Sequence, residues 1–269
     1  MTVESILEPI IAKQKPTLVD YIGEGGLLYC GRCHQPKQIL GKGFISERLL
    51  PISCACVIAE QERDEEEDKR RRIENMRLSC LPVEAMHKDR FDLASEVKHI
   101  TIAKRYVSKW DEVLAKNIGL LLWGNTGSGK TFTAHCIANA LIDREIFVRL
   151  YSVSELIQCM GNRDTRPETV RRLRAAPLVI VDDVGAERGT ESSREMLCAA
   201  IDERSEAGKP LIVTTNYTLN EMRQCQAREQ QRIFDRLTAL CVPVAVIGES
   251  RRVNIGEEKL RAAKDLLAL

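Results

Sequence analysis

The sequence predicts an α/β chain in which a buried parallel sheet alternates with helices, preceded by a small cysteine-bearing segment and a charged helical linker. Three observations carry that expectation. Short apolar runs (Ile118 to Trp123, Phe147 to Tyr151, Leu178 to Val181, Leu211 to Thr215, Val242 to Ile247) recur with helical patterns between them. Strands apolar along their whole length belong to sheets covered on both faces. Directly after the first run stands Gly124-Asn125-Thr126-Gly127-Ser128-Gly129-Lys130-Thr131, a glycine-rich loop between a strand and a helix. Ahead of both lie two close cysteine pairs in a stretch too poor in apolar residues to fold by burial alone.

Taken in order, residues 1 to 20 read as a short helix with apolar positions Ile6, Ile10 and Ile11, ending near Pro16. Tyr21 to Cys56 follows, with Cys30-Gly31-Arg32-Cys33, twenty residues, then Cys54-Ala55-Cys56. Cys30, Cys33, Cys54 and Cys56 suit tetrahedral Zn²⁺, which supplies folding energy to segments without a core. The second pair is C-x-C, His34 is placed to substitute for one ligand, and a redox dithiol is the other reading. In Glu62 to Arg72, four acids stand four residues before four bases, the favoured order for helix pairs, each worth about 0.2–0.5 kcal/mol. That block reads as a solvated linking helix, and Ser79 to Phe91, with Pro82, as an irregular crossing. From Ser95 the spacing turns helical through Val97, Ile100, Ile102, Tyr106, Trp110, Val113 and Leu114, with Tyr106 and Trp110 four apart as core residues.

Composition excludes several classes. Lys plus Arg total 40 against 39 Asp plus Glu, so no overall field draws the molecule to nucleic acid or acidic lipid, and any polyanion contact is local. No apolar run approaches the length of a membrane span and no secretory segment opens the chain, so a soluble, cytoplasmic protein is expected. Of the ten cysteines, Cys136, Cys159, Cys198, Cys225 and Cys241 stand singly in apolar elements and read as reduced core residues.

The glycine-rich loop is a phosphate cradle. In the run Gly124, Asn125, Thr126, Gly127, Ser128 and Gly129, glycines let backbone N–H groups turn toward phosphates, Lys130 supplies charge, and the Thr131 hydroxyl suits Mg²⁺. A nucleotide is the expected ligand. Leu178-Val-Ile-Val-Asp182-Asp183 is an apolar strand ending in two acids, Asp182 placed for Mg²⁺ and Asp183 for the attacking water. Leu211 to Thr215 ends in Asn216, an amide that can help position that water. Gln231-Arg232-Ile-Phe-Asp-Arg236 sets two arginines four apart, able to reach a phosphate outside their own subunit or to make surface ion pairs.

This order of parts resembles the DnaC/DnaI-type replicative helicase loaders, a branch of the AAA+ ATPases that includes the IstB transposition helpers. The resemblance runs from about residue 75 to 255. It rests on Gly124 to Thr131, Val181-Asp182-Asp183-Val184-Gly185-Ala186-Glu187, Thr214-Thr215-Asn216, Arg232 to Arg236, and Gly248-Glu-Ser-Arg251-Arg252. It implies Walker A, Walker B, sensor 1, an arginine finger at Arg232 acting on a neighbour's ATP, and a sensor 2 contact from Arg252. Asp183 departs from the Glu common in AAA+ proteins. The resemblance further implies an AAA+ ATPase domain over 91–269, a charged helical linker over 61–90, and a zinc-binding domain over 1–60 that engages a hexameric replicative helicase. Single-stranded DNA and self-association through the ATP interface are the other expected partners, with slow, switch-like hydrolysis. Arg163, Arg166, Arg171, Arg172 and Arg174 form the candidate DNA face, with a solvated helix face as the plainer reading. An IstB-like helper of transposition is the alternative function, and its cysteine-free front end argues against it here.

Overall fold

The computed structural model describes residues 19–42, 47–185, 190–225, 227–248, 264, 266 and 267. The helix expected around Ile6, Ile10 and Ile11 lies outside them. The chain divides into two compact units, Met1–Arg71 and Arg72–Leu269.

In the first unit, β1 (Tyr21–Ile22) pairs antiparallel with β2 (Leu28–Tyr29), and β3 (Gln38–Lys42) with β4 (Glu47–Pro51). Among its described residues the buried apolar side chains are Leu28, Cys30 and Cys54, too few to offset the entropy of ordering the chain. The helix α1 (Ala55–Cys80) begins beside the second cysteine pair and runs through the charged block, whose residues are exposed. The expected i,i+4 ladder does not form there. Asp68 meets Arg71 at 3.8 Å, whereas Arg72 turns to Glu145 at 3.1 Å. Exposed pairs gain so little that a tertiary partner easily redirects them.

The second unit continues with α2 (Glu84–His87), a 3₁₀ turn at Phe91–Leu93, α3 (Lys98–Ser108) and α4 (Trp110–Ala115). Then follow β5 (Gly119–Trp123), α5 (Lys130–Ile142), β6 (Val148–Ser152), α6 (Val153–Gly161), α7 (Arg166–Ala175) and β7 (Leu178–Val184). The described part closes with α8 (Glu191–Glu206), β8 (Leu211–Thr215), α9 (Leu219–Gln224), α10 (Arg228–Leu240) and β9 (Cys241–Ala245). The strands form one parallel sheet in the order β6-β7-β8-β5-β9, as the apolar runs predicted.

Alternation explains why these strands are apolar throughout. Leu121, Val179, Val181 and Val213 point to one core with Leu156, Leu173, Leu197 and Leu237. Their neighbours Leu120, Leu122, Ile180 and Ile212 point to the other, with Tyr106, Trp110, Ile137 and Leu141. Tyr106 and Trp110 are core residues as expected, their rings 6.2 Å apart and the Tyr106 hydroxyl donating to the Ile118 carbonyl at 2.8 Å. Of the single cysteines, Cys136, Cys198 and Cys241 are buried, and Cys159 and Cys225 are half-buried. Pro243 lies in β9, an edge strand, where a missing N–H costs no ladder bond on the open side.

Sequence reading missed Arg204, whose side chain on α8 is fully buried. Its guanidinium donates to the carbonyls of Leu173, Ala176 and Pro177 at 2.8 Å each, and twice to that of Pro210, at 3.1 and 2.6 Å. These carbonyls lie just ahead of β7 and β8, so one cation ties the two strand entries together. Desolvation draws its pKa down to about 10, still charged at neutral pH. Arg204→Met fills the space and leaves those carbonyls without a donor. Urea unfolding should show stability lowered by roughly 3 kcal/mol, the cost of a few buried acceptors losing their partner. An unchanged midpoint would remove Arg204 from the set of structural supports.

Candidate nucleotide-binding site

The loop between β5 and α5 is shaped by what its backbone must do. At Gly124 φ is 151°, and a Cβ there would stand 2.2 Å from the Val246 carbonyl oxygen. Gly129, at φ 100°, is the N-cap of α5, and no side chain caps that helix. The helices α6, α8 and α9, by contrast, are capped by Ser152, Thr190 and Thr218. The positive end of the α5 dipole thus faces the loop, where it favours an anion. The Ser128 hydroxyl is buried with no hydrogen-bond partner among the described residues. The Lys130 ammonium folds back over the loop, donating to the carbonyls of Gly124 at 3.0 Å and Asn125 at 2.7 Å.

Opposite the loop, Thr131 donates its hydroxyl to both carboxylate oxygens of Asp182, at 3.0 and 3.2 Å. Thr214, buried at the end of β8, links the two acids: its hydroxyl donates to Asp182 Oδ1 at 2.6 Å and accepts the Asp183 N–H at 2.8 Å. Asp183 is left-handed, φ 65°, at the place where the register of β7 against β8 shifts between Val181 and Val184. That backbone is costly for a residue with a Cβ. It points the Asp183 carboxylate away from Asp182 toward Asn216, whose Nδ2 donates to Asp183 Oδ1 at 3.1 Å.

These residues share one cleft of about 470 Å³, lined by Thr126, Gly127, Gly129, Lys130, Thr131, Asp182, Asp183 and Asn216, together with Asp89, Leu93 and Phe132. The donor set fits a polyphosphate with a divalent cation. It offers a helix N-terminus, an orphaned hydroxyl and an ammonium on one side, with a hydroxyl paired to a carboxylate on the other. Structure therefore assembles the expected loop, both acids and Asn216 in one place. Arg232 is elsewhere, exposed on α10, with no ion pair or hydrogen bond among the described residues, whereas Arg236 is tied to Asp202 at 2.7 Å. Their spacing alone does not tell these two arginines apart; the resemblance singled out Arg232, and the fold gives the two different surroundings. Arg251 and Arg252 lie outside the described residues. Asp89 and Leu93 were not anticipated and fall in a stretch that carries no motif, whereas Thr214 was read as part of Thr214-Thr215-Asn216 without a role of its own.

The basic cluster on α7 and before it is largely neutralised. Arg171 and Arg172 both bind Glu168, at 2.7 and 2.6 Å, and hold its carboxyl at about 2. Arg174 binds Glu203 and Glu206. Arg163 and Arg166 are exposed and carry no ion pair among the described residues.

In the first unit, the sulfurs of Cys30, Cys33, Cys54 and Cys56 all lie within 4.8 Å of one another, with Cys54 and Cys56 at 3.2 Å and Cys30 and Cys56 at 3.5 Å. His34 stands apart, its Nδ1 facing the Tyr21 hydroxyl at 3.1 Å, so the cysteines make up the cluster. The Gln35 N–H brings the Cys33 thiol down to about 6. Burial pushes the Cys30 thiol up, but the N–H groups of Cys33 and Arg32 outweigh it. Hydrogen bonds shared with Cys54 and Cys30 push Cys56 up to about 12. Four convergent sulfurs, some favoured as thiolates and one strongly opposed to ionising beside them, fit a site completed by a dication.

The family model described as "IstB-like ATP binding protein" matches residues 55–259, well over half of the chain. The chain belongs to this family. Among curated proteins, it is 27% identical over 168 residues to "Replicative helicase loader DnaI" of Bacillus subtilis (strain 168), an alignment covering 58% of this chain and 53% of that protein. It is 22% identical over 153 residues to "Replicative helicase loader DnaC" of Escherichia coli (strain K12), covering 55% of this chain and 60% of that protein. The alignments thus span only half to three-fifths of the relatives' length. Two solved structures share the fold: one titled "Crystal Structure of the DnaI", with TM-score 0.52, 23% identity and coverage of 63% of this chain and 93% of that one, and "Crystal structure of the DnaC helicase loader", with TM-score 0.54, 18% identity and coverage of 61% and 100%. This family member is an α/β protein of the AAA+ type with a five-stranded parallel sheet, and no described helix is long and apolar enough to cross a membrane.

Proposed function

We propose that this protein is an ATP-driven loader that binds a hexameric replicative DNA helicase and helps deposit it on single-stranded DNA. The observation that carries the reading is a complete phosphate cradle facing two carboxylates, in a chain whose curated relatives include two named replicative helicase loaders. The four-cysteine unit ahead of the ATPase unit supports it further.

In this reading the backbone N–H groups of residues 124 to 131 and the Lys130 ammonium hold the β- and γ-phosphates. Thr131 and Asp182 hold Mg²⁺, which neutralises charge on the phosphates when bound. Asp183, aimed by its left-handed backbone and by Asn216, orients the attacking water. Thr214 keeps the two carboxylates in fixed relation so that one serves the cation and the other the water. A shorter carboxylate than the usual Glu reaches less far, which suits a slow switch better than a fast motor. Arg232, exposed and with no ion pair among the described residues, is available to a neighbour's γ-phosphate, as a finger in trans requires; Arg252 is the proposed contact to the protomer's own phosphate. Residues 1–60 serve as the helicase-binding, zinc-bearing domain, 61–90 as the linker and 91–269 as the ATPase. Zinc sits on Cys30, Cys33, Cys54 and Cys56 and supplies the stability the first unit lacks in apolar burial. With Arg171, Arg172 and Arg174 engaged by acids, single-stranded DNA contact rests on Arg163 and Arg166.

The rival reading is the IstB-like helper of transposition, the matched family being described as an IstB-like ATP binding protein. A pull-down from native lysate separates the two. The full-length protein should retrieve a replicative helicase, and protein lacking residues 1–60, or stripped of zinc by a chelator, should not. Retrieval of a transposase, or of helicase by both forms, would contradict the loader reading. Arg232→Ala should reduce ATP turnover in assembled complexes by at least tenfold, the usual scale for a lost arginine finger being about 10³ or more. ATP affinity of the isolated chain should stay unchanged. Full turnover in the variant would exclude action in trans.

A further inference from the structure

Three residues that line the nucleotide cleft have no part in the phosphate chemistry. Asp182, Asp183 and Asn216 close one side of it from the ends of β7 and β8. The remaining lining residues, Asp89, Leu93 and Phe132, come from the segment ahead of α3 and from the first turn of α5. They include the large apolar side chains of the lining, and Leu93 is 64% exposed, an open apolar face at the rim of a cleft. Beside them stands a carboxylate. A carboxylate that faces no cation is repelled by a triphosphate, and Asp89, unlike Asp182, makes no hydrogen bond to Thr131, so it suits the nucleoside end rather than the phosphates.

Asp89 is held there from α5. Asn139, fully buried on α5, donates to the Asp89 backbone carbonyl at 2.9 Å and to that of Met86 at 2.8 Å. His135, one turn after Thr131 and buried, places its Nδ1 at 2.7 Å from Asp89 Oδ2. A carboxylate only accepts, so this nitrogen carries the proton. Asp89 Oδ1 has no hydrogen-bond partner among the described residues, and the side chain is 30% exposed. Asp89 thus offers the cleft one oxygen, on a carboxylate whose other oxygen is engaged.

We propose that Asp89, locked by His135 and Asn139, selects adenine in this cleft, its Oδ1 accepting the exocyclic amine of the base. The inference rests on the ATP-binding reading above and adds the residue that reads the base. A single free oxygen matches one amine. Guanine presents two adjacent donors, N1–H and the 2-amine, which a carboxylate meets with both oxygens, and here one of them is taken. Asp89 and His135 together therefore favour ATP over GTP.

The test compares ATP with purine riboside triphosphate, which lacks only the amine, by competition against a fluorescent ATP analogue. The unmutated full-length protein should bind the amine-free nucleotide about ten- to a hundredfold more weakly than ATP, the scale of one hydrogen bond to a charged group. Asp89→Ala should bind both alike. Equal binding by the unmutated protein overturns the proposal without needing any variant to fold. Preference for the amine surviving in Asp89→Ala overturns it too, as does an Asp89→Ala effect confined to ATP against 2′-deoxy-ATP, which would make Asp89 a ribose ligand. Failure of every triphosphate to bind the unmutated protein would instead remove the ATP reading itself.

Discussion

Everything at this site depends on strand register in the parallel sheet. β5 pairs with β8 and with β9, and β7 pairs with β8, so the ends of β5, β7 and β8 come out on one edge with Trp123 beside Thr215 and Val184 beside Thr215. That is where ligands collect in open α/β sheets. The loop leaving β5 then meets Asp182 across a hydrogen bond of 3.0 Å from Thr131. A slip of one residue would turn every core side chain to the opposite face, and the two clusters on either side of the sheet forbid it.

Within that frame, the site departs from relaxed backbone at chosen places. Asp183 takes a left-handed conformation and β7 bulges against β8 beside it, while Asp182, one residue earlier, remains in register opposite Ser152. Two neighbouring acids thereby serve different directions. Neither Thr131 nor Thr214 is charged, yet their hydroxyls decide where the Asp182 carboxylate sits. The local strain is supported by rigid neighbours, a fully apolar strand behind and a buried Thr214 to the side.

Much of this was legible beforehand, for reasons that separate the visible from the hidden. The five strands were readable because burial on both faces removes polar residues from them, and the boundaries fell within a residue or two except at β7, which continues past its acids to Val184. The glycine-rich loop, the two acids and the four cysteines were readable because backbone geometry and metal coordination demand particular residues at fixed spacing. Arg204 was not, since an arginine in a helix reads as surface until its carbonyl partners, brought from residues 173–177 and from Pro210, are known. Nor was Asp89, whose meaning comes from His135, 46 positions away. Charge patterns misled most: the linker's ladder and the arginines of α7 were set by tertiary or local acids that spacing alone does not rank.

The two units divide the labour by different physics. One folds by burying apolar strands, and its chemistry sits on the sheet edge. The other has little to bury and gathers four sulfurs instead. The claim on which the account turns is that a triphosphate is held between Lys130 and Asp182. A crystal structure with Mg²⁺ and a non-hydrolysable ATP analogue tests it most directly. It should show the γ-phosphate against the Lys130 ammonium, released from the carbonyls of Gly124 and Asn125, with the cation on Thr131 and facing Asp182. A nucleotide bound elsewhere, or Lys130 still folded onto those carbonyls with the analogue present, would contradict it.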